Sequence, residues 1–187
     1  FAPNYKFNPK YKAGVWNGTI CFFQRGKLPI GLLDYVVEYL DALNNVGLTY
    51  VELGLTELAI DAYRKAISID SKYEFAYNNL GIALNLLYQY DEAQKYFEKA
   101  LQLQPNYFDA HVNYANLMIY FDNFNKALIS YERAMELNPN ADYIYGDIIH
   151  TKMYLCMWTG LPTYLKKLHE KIENGEISVG IILERIK

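Results

Sequence analysis

The sequence predicts an all-α fold in which helical hairpins stack into a solenoid, with a short β-hairpin appendage at the N-terminal end. Three observations lead to this prediction: small and aromatic residues that recur at an interval of 34, helix-ending prolines at the same interval, and an Asn-Gly pair near the start. The recurring columns are Gly47, Gly81 and Ala115; Ala59, Ala93 and Ala127; Tyr63, Phe97 and Tyr131; Ala66, Ala100 and Ala134; and Ser71, Pro105 and Pro139. A period of this length is typical of stacked helical hairpins.

The chemistry of each column fits a pair of packed helices. A glycine or alanine on the first helix lets the second helix approach closely, and an alanine on the second helix does the same. The aromatic residue four positions later lies one turn along the same face and fills the gap between hairpins. Proline ends the second helix because it cannot continue the helical hydrogen bonds. We therefore expect helices at about 40–53, 56–69, 74–87, 90–103, 108–121 and 124–137.

These columns resemble the tetratricopeptide repeat. The resemblance implies a tetratricopeptide-repeat α-solenoid, with three repeats in 36–141 after an N-terminal segment at 1–35. Beyond the repeats, amphipathic spacing predicts a capping helical hairpin at 142–175 and a tail at 176–187. Ile149 occupies the column of small residues, so we expect this fourth hairpin to pack differently from the others.

The segment YGDIIHTKMYLCMW at 145–158 resembles the junction of SPINDLY-type protein O-GlcNAc transferases, where the repeats meet the transferase domain. Together with the repeats, the resemblance covers about 40–175 and implies the substrate-recognition part of such an enzyme. The family usually has an acidic residue where this chain has Met157. An unrelated repeat protein with a similar cap is the alternative interpretation.

The transferase domain of that family uses UDP-GlcNAc and runs to several hundred residues after the junction. Only 12 residues follow Gly175 in this chain. We interpret His111, His150 and His169 as structural or surface residues rather than catalytic ones. We therefore expect no enzymatic activity, no catalytic residue and no cofactor in the chain itself.

Composition narrows the setting in which the protein works. Apolar residues make up 52% and charged residues 21% of the chain, which is enough apolar surface to bury a core. Cys21 and Cys156 are too few and too far apart for a disulfide framework or a cysteine-rich metal site, and we expect no metal. No apolar run reaches the roughly 20 residues that cross a bilayer, and the start is not a signal peptide. The sequence favours a cytoplasmic protein without a membrane partner.

The first 35 residues differ from the repeats. Asn17-Gly18 predicts a tight hairpin turn because both residues tolerate positive φ, and Arg25-Gly26 predicts a second turn. Gly31 then opens a helix over LLDYVVEYL. The stretch YKFNPKYKAGVWNGTICFFQRGKLPIGLL at 5–33 resembles the N-terminal module of UvsW-type phage helicases, through its Gly-x-Trp-x-Gly-x-Ile and Pro-x-Gly-Leu patterns. Those relatives usually have aspartate where this chain has Asn17.

Charge also separates this segment from the rest. Residues 1–30 contain five basic and no acidic side chains, which leaves 13 basic and 21 acidic residues and a net charge of -8 in 31–187. The resemblance implies contacts with DNA through phosphates and base stacking. The candidate residues for these contacts are Lys10, Lys12, Trp16, Arg25 and Lys27. We favour a solvated basic hairpin packed on the first helix, because the acidic remainder repels nucleic acid and no phosphate loop of a helicase motor occurs.

A row of asparagines on the first helices is the candidate binding site. The candidates are Asn45, Asn79, Asn113 and Asp147, spaced by 34, with Asn44, Asn78 and Asn116 beside them. The row resembles the ladder by which O-GlcNAc transferase repeats hold an extended peptide, since an amide offers donors and an acceptor to a peptide backbone. We expect low-affinity binding of an extended polypeptide or partner protein with little charge selectivity. The alternative is that the asparagines hydrogen-bond neighbouring helices.

Overall fold

The computed structural model describes residues 30–141 and 143–174, which fold into eight α-helices without a strand among them. Their bounds are α1 Ile30–Glu52, α2 Thr56–Ile69, α3 Glu74–Leu86, α4 Tyr90–Leu103, α5 Phe108–Tyr120, α6 Phe124–Leu137, α7 Tyr143–Tyr154 and α8 Leu161–Glu173. The predicted all-α solenoid is confirmed. The expected β-hairpin appendage lies outside the described residues, as does the tail at 176–187.

Successive helices pair as hairpins, and the hairpins stack. The closest pairs are α1 with α2, α3 with α4, and α5 with α6. Ala59, Ala93 and Ala127 have no solvent exposure, so each lies where helices touch, as the repeat columns predict. One hydrophobic cluster runs from α2 through α7. Each hairpin therefore buries its apolar face against its neighbours, which is how repeat arrays are stabilised.

Aromatic rings determine the glycine column. A Cβ atom built on Gly81 would lie 2.7 Å from the ring of Phe97, and a Cβ atom on Gly47 would collide with the ring of Tyr63. Both rings are almost completely buried. A side chain at either glycine would have to displace the opposing ring, so these two positions require glycine for close approach.

The first helices of the repeats lie on the inner side of the array. Helix α3 approaches both α1 and α5, whereas α2, α4 and α6 do not approach one another comparably. A curved stack brings its inner helices together and separates its outer ones. The first helices therefore line the concave surface, which is where the asparagine row was predicted.

Helix α1 joins two helices that the sequence indicated separately. It begins at Ile30, next to Gly31 where a helix over LLDYVVEYL was expected, and it continues through the repeat helix expected near 40–53, so the boundary expected at 35/36 falls inside one continuous helix. No proline or other helix-ending residue separates 32–40 from the repeat that follows, and the backbone hydrogen bonds continue through both. The extension exposes Val37 and Tyr39 on its surface.

The fourth hairpin keeps the 34-residue register of the repeats. Its turn residue Cys156 has positive φ, and so have Gly54, Tyr88 and Asp122 at the matching positions of the earlier turns. Helix α8, however, begins at Leu161 and not at 158, after a left-handed Gly160 and with a proline in its first turn. This proline is suited to a helix start because its missing N–H has no helical partner there.

Candidate functional site

Four asparagine side chains form a chain of hydrogen bonds across the first helices of the three repeats. Asn113 on α5 donates from Nδ2 to Oδ1 of Asn78 at 3.0 Å. Asn78 donates to Oδ1 of Asn79 at 3.2 Å, and Asn79 donates to Oδ1 of Asn44 on α1 at 2.7 Å. We call Asn44, Asn78, Asn79 and Asn113 the amide ladder. It joins α1, α3 and α5 side by side.

The amide ladder explains why asparagine occurs inside these helices. Asparagine is a poor helix former because its side chain competes with the backbone for hydrogen bonds. Asn78 is only 2% exposed, and a buried amide requires hydrogen-bond partners. Asn79 and Asn113 supply them. These bonds between helices are the ones that the alternative interpretation of the asparagines described.

A concave groove of about 280 Å³ opens beside the ladder. Its lining residues are Asn78, Asn79, Ile82, Tyr107, Asp109, Val112, Asn113 and Tyr143, from α3, α5, α7 and the turn before α5. The volume lies near the lower limit of small-molecule pockets, and the lining alternates amides with apolar and aromatic side chains. Such a groove has room for one or two side chains of an extended chain and amides to bind its backbone.

The ladder leaves hydrogen-bonding capacity for a ligand. Each amide has two N–H donors and two acceptor lone pairs. In the ladder, Asn113 uses one N–H and Asn79 uses one N–H and one lone pair. Both residues line the groove, so a second donor on each can bind a peptide carbonyl.

The structure places the other predicted binding residues apart from this groove. Asn45 has an exposed side chain and is not among the residues that line the groove. Asn116 accepts a hydrogen bond at 2.6 Å from the hydroxyl of Tyr131 on α6, so its amide is directed toward the second helix of its own repeat. Asp147 is half-buried on α7, in register with Asn113, and also lies outside the lining.

A row of aromatic and acidic side chains extends from the groove toward α1. The hydroxyl of Tyr73 donates to Oδ1 of Asp41 at 2.7 Å. The ring of Phe75 packs edge-on against Tyr73 at 5.7 Å and against Tyr107 at 5.4 Å between centroids. Asp109 follows Tyr107 in the groove lining. We call Asp41, Tyr73, Phe75, Tyr107 and Asp109 the aromatic–acidic strip.

The strip raises the pKa of its two phenols. Burial, with the nearby carboxylates of Asp109 and Glu74, raises the pKa of Tyr107 to about 12. Burial and the hydrogen bond to Asp41 raise the pKa of Tyr73 well above its usual value. Both phenols therefore remain neutral at physiological pH, and the negative charge of the strip resides on its carboxylates.

The sequence analysis did not identify Ile82, Tyr107 and Tyr143, which line the groove. A usable signal was present, because Asp41, Phe75, Asp109 and Tyr143 are spaced by 34 and so share one face of the stacked first helices. This column lies about one helical turn before the asparagine row.

A second polar cluster, at the fourth hairpin, has a structural explanation. Lys152 is buried, and its ammonium lies 2.8 Å from Oε1 of Glu132 on α6. The same ammonium lies 5.3 Å from the ring centroid of Tyr164 on α8, whose hydroxyl donates to Glu132 at 3.4 Å. The cluster holds α6, α7 and α8 together and neutralises its own buried charge.

Three other kinds of site were considered in the sequence: DNA contacts, a metal site and a membrane-spanning helix. The candidate DNA contacts Lys10, Lys12, Trp16, Arg25 and Lys27 lie outside the described residues. Within the described ranges, no group of three or more histidine, cysteine or acidic side chains could hold a metal ion. No helix in the same ranges is long and apolar enough to cross a bilayer.

Family models match the chain in two parts that meet at 46/47. Residues 47–87 match a TPR repeat model and residues 85–146 a tetratricopeptide repeat model. Residues 1–46 match the model of the N-terminal region of the DNA helicase UvsW. Since α1 runs from Ile30 to Glu52, the two families meet inside one helix, beside Gly47.

Solved structures with similar folds are tetratricopeptide arrays of low sequence identity. MamA superposes with a TM-score of 0.66 at 24% identity, over 78% of this chain and 85% of its own. The first TPR of Spaghetti (RPAP3), bound to an HSP90 peptide, gives 0.61 at 23% identity, over 64% and 94%. The Thermobaculum terrenum O-GlcNAc transferase gives 0.59 at 18% identity, over 64% of this chain and 23% of its own.

These matches agree with the geometry of the helices. No curated protein is similar to the chain in sequence at a significant level. The two repeat models together span residues 47–146, which is more than half of the 187 residues. Glycine, alanine and aromatic columns within that span pack as the repeat requires. Residues 47–146 therefore form an array of tetratricopeptide repeats.

Proposed function

We propose that this protein is a protein–protein interaction module that binds an extended polypeptide segment in the concave groove. The observation that carries the proposal is the amide ladder, because three of its members line the groove and two of these, Asn79 and Asn113, keep donors available for a peptide backbone. Amides bind a backbone irrespective of its side chains. A scaffold of this kind needs no catalytic group.

The structural relatives support a polypeptide ligand. The Spaghetti (RPAP3) repeat was solved with the HSP90 peptide SRMEEVD, so a repeat array of this fold holds a peptide. Its ligand is acidic, whereas α1, α3 and α5 of this chain contain no lysine or arginine to hold acidic side chains. The peptide that we propose is therefore of another chemistry.

Replacing the asparagine row tests the proposal. We expect the triple variant Asn45→Ala, Asn79→Ala and Asn113→Ala to lose at least tenfold in affinity for an extended, unstructured peptide. The thermal midpoint should fall by several degrees while the chain stays folded, because the variant removes the three ladder bonds and leaves the buried amide of Asn78 without its ladder partners, at a cost of about 1–3 kcal/mol. Fluorescence anisotropy and thermal melting of the full chain measure both.

Two further variants make the result interpretable. Asn125→Ala on α6, an exposed asparagine away from the groove, should bind as the wild type does. Ile82→Phe narrows the groove without altering any amide and should weaken binding. Unfolding of the triple variant with unchanged binding by Ile82→Phe would make the ladder purely structural. Wild-type affinity of the folded triple variant would remove the groove from consideration.

The finer proposal is that this module is the substrate-recognition part of a SPINDLY-like O-GlcNAc transferase. The resemblance at 145–158 supports it, and the O-GlcNAc transferase among the structural relatives has the same fold at its repeats. The coding sequence around this chain tests it, since a transferase domain following the junction is expected. The chain by itself should not hydrolyse UDP-GlcNAc, and turnover would contradict the non-enzymatic assignment.

A second candidate function is DNA binding by the N-terminal segment. The match of residues 1–46 to the UvsW N-terminal region favours it, together with the five basic side chains there. Binding should be weak, with a log–log salt slope of only a few, because few phosphates are neutralised. The variant Lys10→Ala, Lys12→Ala and Arg25→Ala should lose it. Unchanged DNA binding by this variant would exclude the segment.

A further inference from the structure

We propose that the concave groove selects extended peptides that carry lysine or arginine. This inference rests on the proposed function and names the chemistry of the partner. It departs from the sequence-based expectation of little charge selectivity. The difference arises from the aromatic–acidic strip, which the asparagine row alone did not reveal.

The strip combines exposed carboxylates with aromatic rings. The carboxylates are those of Asp41 on α1 and Asp109 on α5, and the rings are those of Phe75 on α3 and of Tyr73 and Tyr107 in the turns before α3 and α5. A cationic side chain is attracted both by a carboxylate and by the face of an aromatic ring. Its methylene stem also packs on apolar surface while its charged head stays in water. Lysine and arginine are the residues that use all three features.

The helices that surround the groove also carry a negative charge. Helices α1, α3 and α5 contain acidic residues but no lysine or arginine. Lys152 on α7 is buried and paired with Glu132, so it does not offset this charge at the groove. Lys72, in the turn before α3, is exposed, and its single positive charge offsets only one of the two negative charges of Asp41 and Asp109. The groove therefore has a negative potential that attracts cationic ligands.

The aromatic–acidic strip and the amide ladder meet in the groove. Asp109, Tyr107 and Asn113 line the same groove. A peptide backbone on the amides would bring its neighbouring side chains to the strip, one helical turn away along α5. The amides give affinity for any extended chain, and the strip discriminates among them.

The test uses the full chain and three labelled peptides that are identical except at positions carrying lysine, glutamine or glutamate. We expect the lysine peptide to bind roughly tenfold more tightly than the glutamine peptide at low salt, since each exposed ion pair multiplies affinity a few-fold. The preference should shrink at about 1 M salt, where the Debye length is about 3 Å. The glutamate peptide should bind most weakly.

Matched variants locate the preference. Asp41→Asn with Asp109→Asn should bind the lysine and glutamine peptides equally, and the amide oxygen introduced by Asp41→Asn can still accept the hydrogen bond of Tyr73. Asp61→Asn with Asp91→Asn removes the same charge from exposed positions on α2 and α4 and should keep the preference. Equal loss in both pairs would show a general charge effect and overturn the inference.

The outcomes separate this inference from the function on which it rests. Equal affinity of the wild type for the lysine and glutamine peptides, or a preference for glutamate, would overturn the charge selectivity and leave peptide binding in place. Failure of all three peptides to bind would overturn both. A lysine preference lost only with Asp41 and Asp109 would support both.

Discussion

At matching positions of one 34-residue register, the three repeats and the fourth hairpin carry side chains of different size. The repeats have Ala59, Ala93 and Ala127 where the fourth hairpin has Leu161. They have glycine or alanine where it has Ile149. The turns nevertheless share the same positive φ, so the register extends to the fourth hairpin. Helix α8 starts later, however, and packs less extensively on α7.

The difference shows that the small columns, and not the register, set how closely two helices approach. Where glycine faces an aromatic ring, as Gly81 faces Phe97, the two helices of the hairpin pack so closely that the ring contacts the glycine backbone. Where the columns hold large side chains, a polar cluster around Lys152 fills part of the contact instead. The packing of the repeat hairpins is therefore stabilised by the fit of small side chains against rings, and the packing of the fourth hairpin is stabilised partly by an ion pair.

The largest expected effect is from overpacking an alanine. Ala93→Phe should destabilise the chain by about 1–3 kcal/mol or more, because Ala93 is fully buried between helices. Leu161→Phe, at the matching position, should cost less because that site already holds a branched side chain. Urea unfolding measures both. Unchanged stability of Ala93→Phe would refute the repeat register.

Removing the two charges of the polar cluster one at a time should lower the free energy of unfolding by unequal amounts. Glu132→Gln leaves the buried ammonium of Lys152 without its partner and should cost roughly 2–3 kcal/mol. Lys152→Met should cost less, because Glu132 remains more than one-third exposed and keeps water as a partner. Equal losses in chemical unfolding would contradict this account of the cluster.

Two helical glycines should give opposite signs when replaced by alanine. Gly146→Ala should stabilise α7 by up to about 1 kcal/mol, since no described atom lies within 4 Å of the new methyl group. Gly81→Ala should destabilise by about 1 kcal/mol or more, because the methyl group meets the ring of Phe97. Stabilisation by both substitutions would show that the ring column does not constrain the glycine.

The smallest expected changes in stability come from removing a hydroxyl from the aromatic column. The hydroxyl of Tyr63 is buried without a hydrogen-bond partner among the described residues, so Tyr63→Phe should stabilise by about 1 kcal/mol. Tyr131→Phe should destabilise by a similar amount, because it loses the bond to Asn116. Thermal unfolding at neutral pH distinguishes the signs, and a loss for Tyr63→Phe would contradict the burial of an unpaired hydroxyl.

The stability difference between the wild type and Tyr63→Phe should depend on pH in the alkaline range. Burial raises the pKa of Tyr63 to about 12, above the ordinary value near 10. The folded state therefore holds the phenol proton more tightly than the unfolded state does. The free energy of unfolding is unaffected by this group below pH 10 and falls as the pH rises from 10 toward 12. The stability advantage of Tyr63→Phe should therefore grow between pH 9 and pH 11 in urea unfolding. A constant advantage would contradict the raised pKa.

The repeats could be predicted from sequence because each column has one physical cause. Alanine at 93 and glycine at 81 follow from contact between helices, and both are buried as expected. The start of α1 near Gly31 was also predicted, but its continuity with the first repeat helix was not, because no local signal distinguishes one long helix from two consecutive ones.

The candidate site was only partly predictable. The asparagines were found by their spacing, but their bonds to one another cross from helix to helix and depend on which rotamers the stack allows. Asn116 was placed beside the row although Tyr131 holds its amide. Spacing gives the face of a helix, whereas partners within that face are decided by packing.

The most direct test of the groove is to follow the asparagine side-chain amide signals of the ¹⁵N-labelled chain by NMR while an extended peptide is titrated in. We predict that the signals of Asn79 and Asn113 shift with saturation, because these amides line the groove. Those of Asn123, which caps α6, and of Asn138, at the end of α6, should stay in place. Shifts confined to Asn123 and Asn138, with the ladder signals unchanged, would contradict binding in the groove.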